Sequence, residues 1–104
     1  MQIIRDQVYL ESLQNIMEYI AKNSVSRALI FSSELNEKLE KLHTFPYKYR
    51  KSIYFKNENI RDYIFRAYVI PYFIDADNKK IIILDIIKPE LCNRITVNSV
   101  YACA

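Results

Sequence analysis

The sequence contains no glycine among its 104 residues, and this absence restricts both its turns and its possible sites. Dinucleotide-binding loops, phosphate-binding P-loops and the nucleophile elbow of hydrolases all need glycine, because the backbone there bends sharply or closely approaches a ligand. The sequence therefore excludes these three kinds of site. Its turns are predicted to use Asn, Asp and Pro instead.

The length and composition are typical of one small globular domain spanning residues 1–104. Hydrophobic residues make up 51% of the chain, and 15 basic residues stand against 12 acidic ones, for a net charge of +3. No apolar run approaches the roughly 20 residues that span a bilayer. The N-terminus does not resemble a signal peptide, because the acidic residue Asp6 precedes any apolar stretch. We therefore expect a cytoplasmic protein that makes no use of a membrane.

The first half of the sequence predicts two helices. The first carries its apolar residues at helical spacing, with Asp6 as N-cap, and the second starts after a new cap at Ser24. The apolar positions are Tyr9, Leu13, Ile16 and Ile20, then Ala28, Phe31, Leu35, Leu39 and Leu42. The short connection predicts an antiparallel hairpin of about 17 and 19 residues. Pro46 is predicted to end the second helix.

The second half predicts strands. Ile60 to Phe65, Tyr68 to Ile74 and Ile81 to Ile87 are rich in β-branched and aromatic residues, and a polar turn separates the last two. Pro71 lacks an N–H group, so we expect a local fault in the ladder there. Ile3-Ile4 is a candidate extra strand, and residues 52–55 fit either strand or loop. The fold class is therefore α+β, with an N-terminal strand and an antiparallel helical hairpin packed on a small antiparallel sheet.

Positive charge is concentrated in the segment between the helices and the strands. Residues 46–66 have a net charge of +4 and are interleaved with tyrosine and phenylalanine. The basic residues there are Lys48, Arg50, Lys51, Lys56, Arg61 and Arg66. Cations bind phosphates and aromatic rings stack on bases, so single-stranded nucleic acid is one possible partner. An acidic protein is another, and a solvated basic loop is the third interpretation.

The cysteines and the histidine do not predict a metal site. Cys92 and Cys103 do not have zinc-ligand spacing, and His43 is far from both in the sequence. We expect two plain thiols, no metal and no small-molecule cofactor.

The order of motifs resembles the RelE/ParE toxin superfamily. Ser24, Ala28, Leu35 and Leu42 with Phe45-Pro46 are similar to its second helix and following loop. The later matching segments are Arg50-Lys51-Ser52, Ile60-Arg61-Asp62-Tyr63, Ala67-Tyr68-Val69-Ile70-Pro71-Tyr72 and Ile81-Ile82-Ile83-Leu84-Asp85-Ile86. Ala67 stands where the family usually has glycine. The resemblance covers residues 3–88.

This resemblance implies a toxin of a bacterial type II toxin–antitoxin pair, with a cognate antitoxin as its partner. RelE-like members cut messenger RNA in the ribosomal A site, whereas ParE-like members poison DNA gyrase. The fold alone does not distinguish these two activities, so the activity has to be inferred from the residues of the site.

Metal-independent RNA cleavage needs a base, an acid and cations that stabilise the phosphorane. Together with the resemblance, the sequence offers Arg61, Lys88, Arg50 and Lys51 as the catalytic set of a ribonuclease. Acid–base candidates are few. Glu58 is a weak candidate base, and His43 lies near the end of the second helix, away from the expected pocket. Arg94 and Tyr101 follow Pro89, which changes the direction of the chain.

The binding surface is predicted to contain Arg50, Lys51, Arg61, Arg66 and Tyr63. Each of these residues also has a purely structural interpretation. Arg61 can form a salt bridge with Asp62 or Glu58. Lys88 can be a surface lysine at a strand end, and Arg50 and Lys51 can lie in a solvated loop.

Two activities follow from these observations. The long hairpin and sparse acid–base set favour a ParE-like poison of gyrase, whereas the basic, aromatic connector favours a RelE-like endoribonuclease that acts on ribosome-bound messenger RNA. A divergent, non-toxic binding module is the third hypothesis.

Overall fold

The structure, a computed structural model, describes residues 1–89. Predictions for the C-terminal tail, including Cys92, Cys103, Arg94 and Tyr101, fall outside the described residues. Within residues 1–89, no helix is both long enough and apolar enough to cross a bilayer.

Two helices form the predicted hairpin, α1 from Gln7–Ala21 and α2 from Val25–Glu40. The Asp6 carboxylate accepts a hydrogen bond from the N–H of Val8 at 3.0 Å, and the Ser24 hydroxyl accepts one from the N–H of Arg27 at 3.1 Å. Both predicted N-caps are therefore confirmed. Each satisfies one of the N–H groups that a helix start leaves without an internal partner.

The helices are shorter than predicted, with 15 and 16 residues. The prediction that Pro46 ends α2 is wrong, because the helix ends at Glu40. Beyond it the chain tightens, as the N–H groups of Lys41 and Leu42 bond to carbonyls only three residues back. This tight turn is the usual way to satisfy the last carbonyls of a helix.

Four strands form one sheet in the order β1-β4-β3-β2. The strands are β1 Gln2–Arg5, β2 Ile60–Phe65, β3 Tyr68–Asp75 and β4 Lys80–Ile83. The α+β class is confirmed, with the last three strands forming an antiparallel meander. The sheet is mixed rather than wholly antiparallel, because β1 joins the free edge of β4 in parallel, with Gln2 opposite Lys80. That long-range pairing leaves no local signal in the sequence.

The last strand is also shorter than predicted, and Pro71 is the reason. Its carbonyl accepts a hydrogen bond from the N–H of Leu84 at 2.9 Å, but its nitrogen has no hydrogen to give in return. The regular ladder stops at the pair Tyr72–Ile83 and resumes only as the bridge Val69–Ile87, with one extra residue on the β4 side. The predicted fault at Pro71 is confirmed, and it takes the form of a bulge.

Two turns adopt left-handed backbone conformations without glycine, at Arg66 with φ 55° and Lys79 with φ 53°. This conformation costs a residue with a Cβ about 1–2 kcal/mol. At Arg66 the side chain makes contacts that offset the cost, with an ion pair to Glu34 on α2 and the Phe65 ring 5.3 Å away.

The sheet has two unequal faces. The face toward the helices carries the main core, in which Tyr9, Leu35, Leu39, Ile70, Tyr72, Ile74, Ile81 and Ile83 are almost completely buried. The opposite face carries a smaller cluster of Tyr54, Val69 and Ile87 with Phe55 packed against it. Residues 52–55, left open between strand and loop, therefore form a loop that covers part of this second face.

Candidate functional site

The chain between α2 and β2, which we call the basic connector, runs along the outer edge of β2 from Arg50 to Ser52. Lys51 forms an antiparallel bridge with Arg61, and the N–H of Ser52 donates to the carbonyl of Ile60 at 2.8 Å. The N–H of Asp62 donates to the carbonyl of Arg50 at 3.0 Å. The connector thus pairs with the first part of the β2 edge, from Ile60 to Asp62, whose backbone groups would otherwise be exposed.

Arg61 points toward the helix side of the sheet and holds the first half of the connector. Its guanidinium donates to the carbonyl of Tyr49 at 3.1 Å and lies 3.5 Å from that of Tyr47. The same group packs 5.2 Å from the centre of the Tyr47 ring. The Tyr72 hydroxyl, on the neighbouring strand, donates to the carbonyl of Pro46 at 2.6 Å. Two side chains of the sheet therefore fix the loop from Phe45 to Tyr49.

Asp62 points to the opposite face and holds the second half of the connector. Its carboxylate is completely buried, accepts a hydrogen bond from the N–H of Ile53 at 3.1 Å and lies 3.3 Å from the half-exposed guanidinium of Arg50. Burying a carboxylate is costly unless it is paired and hydrogen-bonded. Arg50 is therefore the counter-ion of Asp62.

The role of Asp62 was missed at the level of sequence. A signal was available, because Asp62 alternates with Ile60 and Ile64 on one face of a strand. A carboxylate in an inward-facing position requires a partner. The alternative in which Arg61 pairs with Asp62 or Glu58 is wrong, because Arg50 takes the first and Lys51 the second.

The other predicted binding residues lie at separate points. Tyr63 meets Tyr49 edge to face, with ring centres 5.0 Å apart, and burial together with Tyr49 raises the pKa of Tyr63. Arg66 lies in the β2–β3 turn against Glu34. Lys51 pairs with Glu58 at 3.6 Å, and both side chains are mostly exposed.

Lys88 lies at a distance from Arg61. Its ammonium lies 5.7 Å from the centre of the Tyr68 ring, beside Asn15 and Tyr19 of α1. Arg61 is in register with Tyr72, four positions farther along β3, which is about 13 Å at 3.3 Å per residue. The structure therefore does not bring Arg61, Lys88, Arg50 and Lys51 into one pocket.

Acid–base groups are also dispersed. The Nδ1 atom of His43 lies 2.7 Å from the carbonyl of Glu40, at the end of α2, and the side chain is exposed. The carboxylate of Glu58 is 86% exposed and faces Lys51. Between residues 1 and 89, no three or more His, Cys, Asp or Glu side chains are grouped to hold a metal ion.

The structure also shows two concave surfaces on and beside the helical hairpin. The first is an apolar groove along the outside of the helical hairpin, lined mainly by Leu10, Leu13, Met17, Ala21, Val25 and Leu29. The second is a concave surface at the C-terminal end of α2, lined by Lys38, Lys41, Thr44, Phe45, Lys48, Tyr49 and Tyr63. Leu29 in the first surface and Phe45 in the second are 61% and 67% exposed, and clustered exposed apolar side chains indicate a binding surface.

Comparison with known proteins gives one family and one fold. Residues 3–90 match a family model described as the ParE toxin of the type II toxin–antitoxin system parDE. A structure of the chromosomal ParDE toxin–antitoxin system from P. aeruginosa has a similar chain, with a TM-score of 0.68 and 16% sequence identity. The match covers 85% of this chain and 95% of that one. No curated protein matches the chain. The family match spans most of the sequence, and the chain therefore belongs to the ParE family of type II toxin–antitoxin toxins.

Proposed function

We propose that this toxin inhibits growth by binding and poisoning DNA gyrase, as the ParE-like side of the superfamily does, and not by cutting RNA. The observation that carries the proposal is the position of Arg61. Its guanidinium is directed at two backbone carbonyls and a tyrosine ring, so its donors hold the protein's own loop. A cation that stabilises a phosphorane must instead present its donors to the reacting phosphate.

The remaining candidate cations support the same conclusion. Arg50 neutralises the buried Asp62, and Lys51 and Lys88 lie apart, against Glu58 and Tyr68. General acid–base catalysis needs two groups within hydrogen-bonding reach of one substrate position. The exposed His43 and Glu58 lie on different elements, at the end of α2 and in the connector.

A cognate antitoxin is the second part of the proposal. The apolar groove of the hairpin suits one face of an amphipathic helix, which is a recurrent way to bind a segment that folds on its target. Such a segment would bury the exposed Val25 and Leu29 side chains, which are 64% and 61% exposed. The similar chain from P. aeruginosa belongs to a toxin–antitoxin system, which supports this assignment.

The test combines one assay on gyrase with one on RNA. Purified toxin is added to gyrase and relaxed plasmid, and supercoiling and trapped double-strand breaks are measured. In parallel, new 5′ ends of messenger RNA are mapped minutes after the toxin is induced without antitoxin. We expect loss of supercoiling and no new 5′ ends phased to codons.

The opposite pattern would overturn the proposal. Codon-phased 5′ ends with normal supercoiling would identify a ribosome-dependent endoribonuclease, and Arg61→Ala would then be expected to abolish those ends. Continued growth after induction would identify a non-toxic binding module.

A further inference from the structure

The concave surface at the end of α2 combines lysines with exposed aromatic rings. We define the basic–aromatic face as Lys38, Lys41, Phe45, Tyr47 and Lys48. Phe45 and Tyr47 are 67% and 47% exposed. Adjacent concavities on the surface are lined by residues of this face. Exposed aromatic side chains are a feature of binding surfaces, and the lysines around these rings give the surface a positive charge.

The loop that displays this face is held in place before any partner arrives. Arg61 and Tyr72 together hold the carbonyls of Pro46, Tyr47 and Tyr49. A loop that is already ordered loses little conformational entropy on binding. The face therefore has the preorganisation that a recognition surface needs.

The positive charge of the basic–aromatic face is not neutralised by the acidic residues of α2. The α2 carboxylates have partners of their own, since Glu34 pairs with Arg66, Glu37 with Lys41 and Glu40 with Arg5. Within residues 1–89, Lys38 and Lys48 make no ion pair, and Lys48 instead lies 5.5 Å from the centre of the Tyr49 ring. Two positive charges therefore remain for a partner.

We propose that the basic–aromatic face binds an acidic protein segment that carries an apolar side chain, and that this segment belongs to gyrase. The inference rests on the proposed function and assigns the surface that carries it out. Lys38 and Lys48 attract the acidic residues, and Phe45 with Pro46 provides the apolar contact. Complementary charge of this kind steers association and excludes wrong partners.

The arrangement of the tyrosine rings favours protein over nucleic acid. Stacking of successive bases needs several free ring faces, but Arg61 lies over one face of Tyr47, and Lys48 with Tyr63 packs on Tyr49, so the exposed Phe45 alone does not form a stacking platform. The cations of the face without an ion pair are lysines, whose ammonium groups act as point charges. Arg61 could bind a phosphate with two donors, but its donors are directed at backbone carbonyls. Phe45 is left as an isolated apolar anchor.

The experiment uses charge reversal with a matched control. K38E/K48E removes the two unpaired charges, and K22E/K79E makes the same change in net charge at exposed positions outside the face. Lys22 caps the end of α1 much as Lys38 lies in the last turn of α2, so helix-end effects are also matched. F45A tests the apolar anchor separately. Circular dichroism and thermal unfolding verify that all three variants are folded.

The readout is the toxin concentration that half-inhibits gyrase supercoiling. We expect K38E/K48E and F45A each to raise it by about tenfold or more, which corresponds to about 1.4 kcal/mol of binding free energy. The control K22E/K79E should change it by less than about twofold. Binding of the toxin alone to a 20-nucleotide single strand of DNA or RNA is measured beside it, and none is expected.

The outcomes separate this inference from the proposed function. If wild-type toxin has no effect on gyrase, the proposed function fails and the gyrase assignment fails with it. If wild-type toxin inhibits gyrase and K38E/K48E inhibits it equally well, only the basic–aromatic face is wrong. If the toxin binds the single strand and K38E/K48E abolishes that binding, the face recognises nucleic acid and the acidic segment is rejected.

Discussion

Arg61 and Asp62 are neighbours on β2, yet they organise opposite sides of the molecule. Arg61 faces the helices and donates to carbonyls of the loop at Tyr47 and Tyr49. Asp62 faces away, accepts from the N–H of Ile53 and pairs with Arg50. Alternation along a strand sends adjacent side chains to opposite faces, so one dipeptide fixes two halves of a connector that lacks regular structure.

The difference between these halves explains where free charge remains. In the second half, Arg50 and Lys51 each face a carboxylate of the protein itself. In the first half, Lys48 faces only an aromatic ring within the described chain. A run of basic residues in the sequence is therefore not a uniform cationic surface, because the strand that they border neutralises part of it.

The largest effect is expected on the Asp62 side. Asp62→Ala leaves the N–H of Ile53 without its acceptor and removes the counter-ion of Arg50. A hydrogen bond to a charged group contributes about 1.5–3 kcal/mol, and Arg50 is half exposed and can be rehydrated, so we expect a loss of about 2–3 kcal/mol in the free energy of unfolding. Urea denaturation measures it, with the exposed Asp77→Ala as control. A loss below about 1 kcal/mol would show that Asp62 does not hold the connector.

Replacing Arg61 is expected to act locally and more weakly. Arg61→Ala should cost about 1–2 kcal/mol, because two carbonyls lose a charged donor but lie near the surface. Hydrogen exchange of the amides from residue 47 to residue 50 should accelerate, while the core strands remain protected. Because this loop displays the basic–aromatic face, Arg61→Ala should also lower toxicity, and Arg61→Lys should restore part of both the protection and the toxicity. If Arg61→Ala keeps full toxicity at equal expression, Arg61 has no part in the functional surface.

The Tyr72 hydroxyl, which helps Arg61 hold the first half of the connector, should make the stability of the protein depend on pH. Burial is the main cause that raises the pKa of Tyr72, with Tyr49 adding to it and Arg61 opposing it. The folded protein therefore keeps this proton at a pH where unfolded tyrosine, with a pKa near 10, has lost it. The stability that this provides is present below pH 10 and is lost as the pH rises above it.

Tyr72→Phe should remove part of that alkaline loss. At pH 7 the variant should be about 1 kcal/mol less stable, since the hydrogen bond to the Pro46 carbonyl is gone. Between pH 10 and 12 its stability should decline less steeply than that of the wild type. Burial also raises the pKa of Tyr9 to about 12, so some decline should persist. Parallel curves for the two proteins would contradict the assignment to Tyr72.

The smallest effect belongs to the exposed pair of Lys51 and Glu58. Both side chains are mostly in solvent, and pairs of this kind contribute about 0–1 kcal/mol. Lys51→Ala should therefore change the free energy of unfolding by less than about 0.5 kcal/mol, and less still in high salt. A loss comparable to that of Asp62→Ala would mean that the two halves of the connector are not held as described.

The local features were accessible from the sequence because their causes are local. Asp6 and Ser24 act on N–H groups two and three residues away, and Pro71 lacks an N–H group in any fold. The end of α2 was misplaced because a turn can tighten at Glu40 well before a proline forces it to stop. The parallel pairing of β1 was not predictable, since its partner lies at the other end of the chain.

The candidate site was predicted only in part for a similar reason. Basic residues can be counted in a sequence, but the partner of each depends on which face of β2 it reaches. Arg50 and Arg61 carry the same charge, and only the fold distinguishes the one that pairs with Asp62 from the one that donates to carbonyls. The lining of the groove on the hairpin needed the fold, because periodicity marks apolar positions without showing which of them the sheet covers.

The parallel pairing of β1 with β4 has a consequence for how the toxin is made. Gln2 is opposite Lys80, so β1 leaves the ribosome well before its partner strand β4 does. At about 5–20 residues per second, roughly 80 residues of synthesis take about 4–16 s, during which β1 has no partner strand. A chain truncated before β4 could therefore never close its sheet. This arrangement favours a toxin that acquires its folded surface only after β4 has been synthesised.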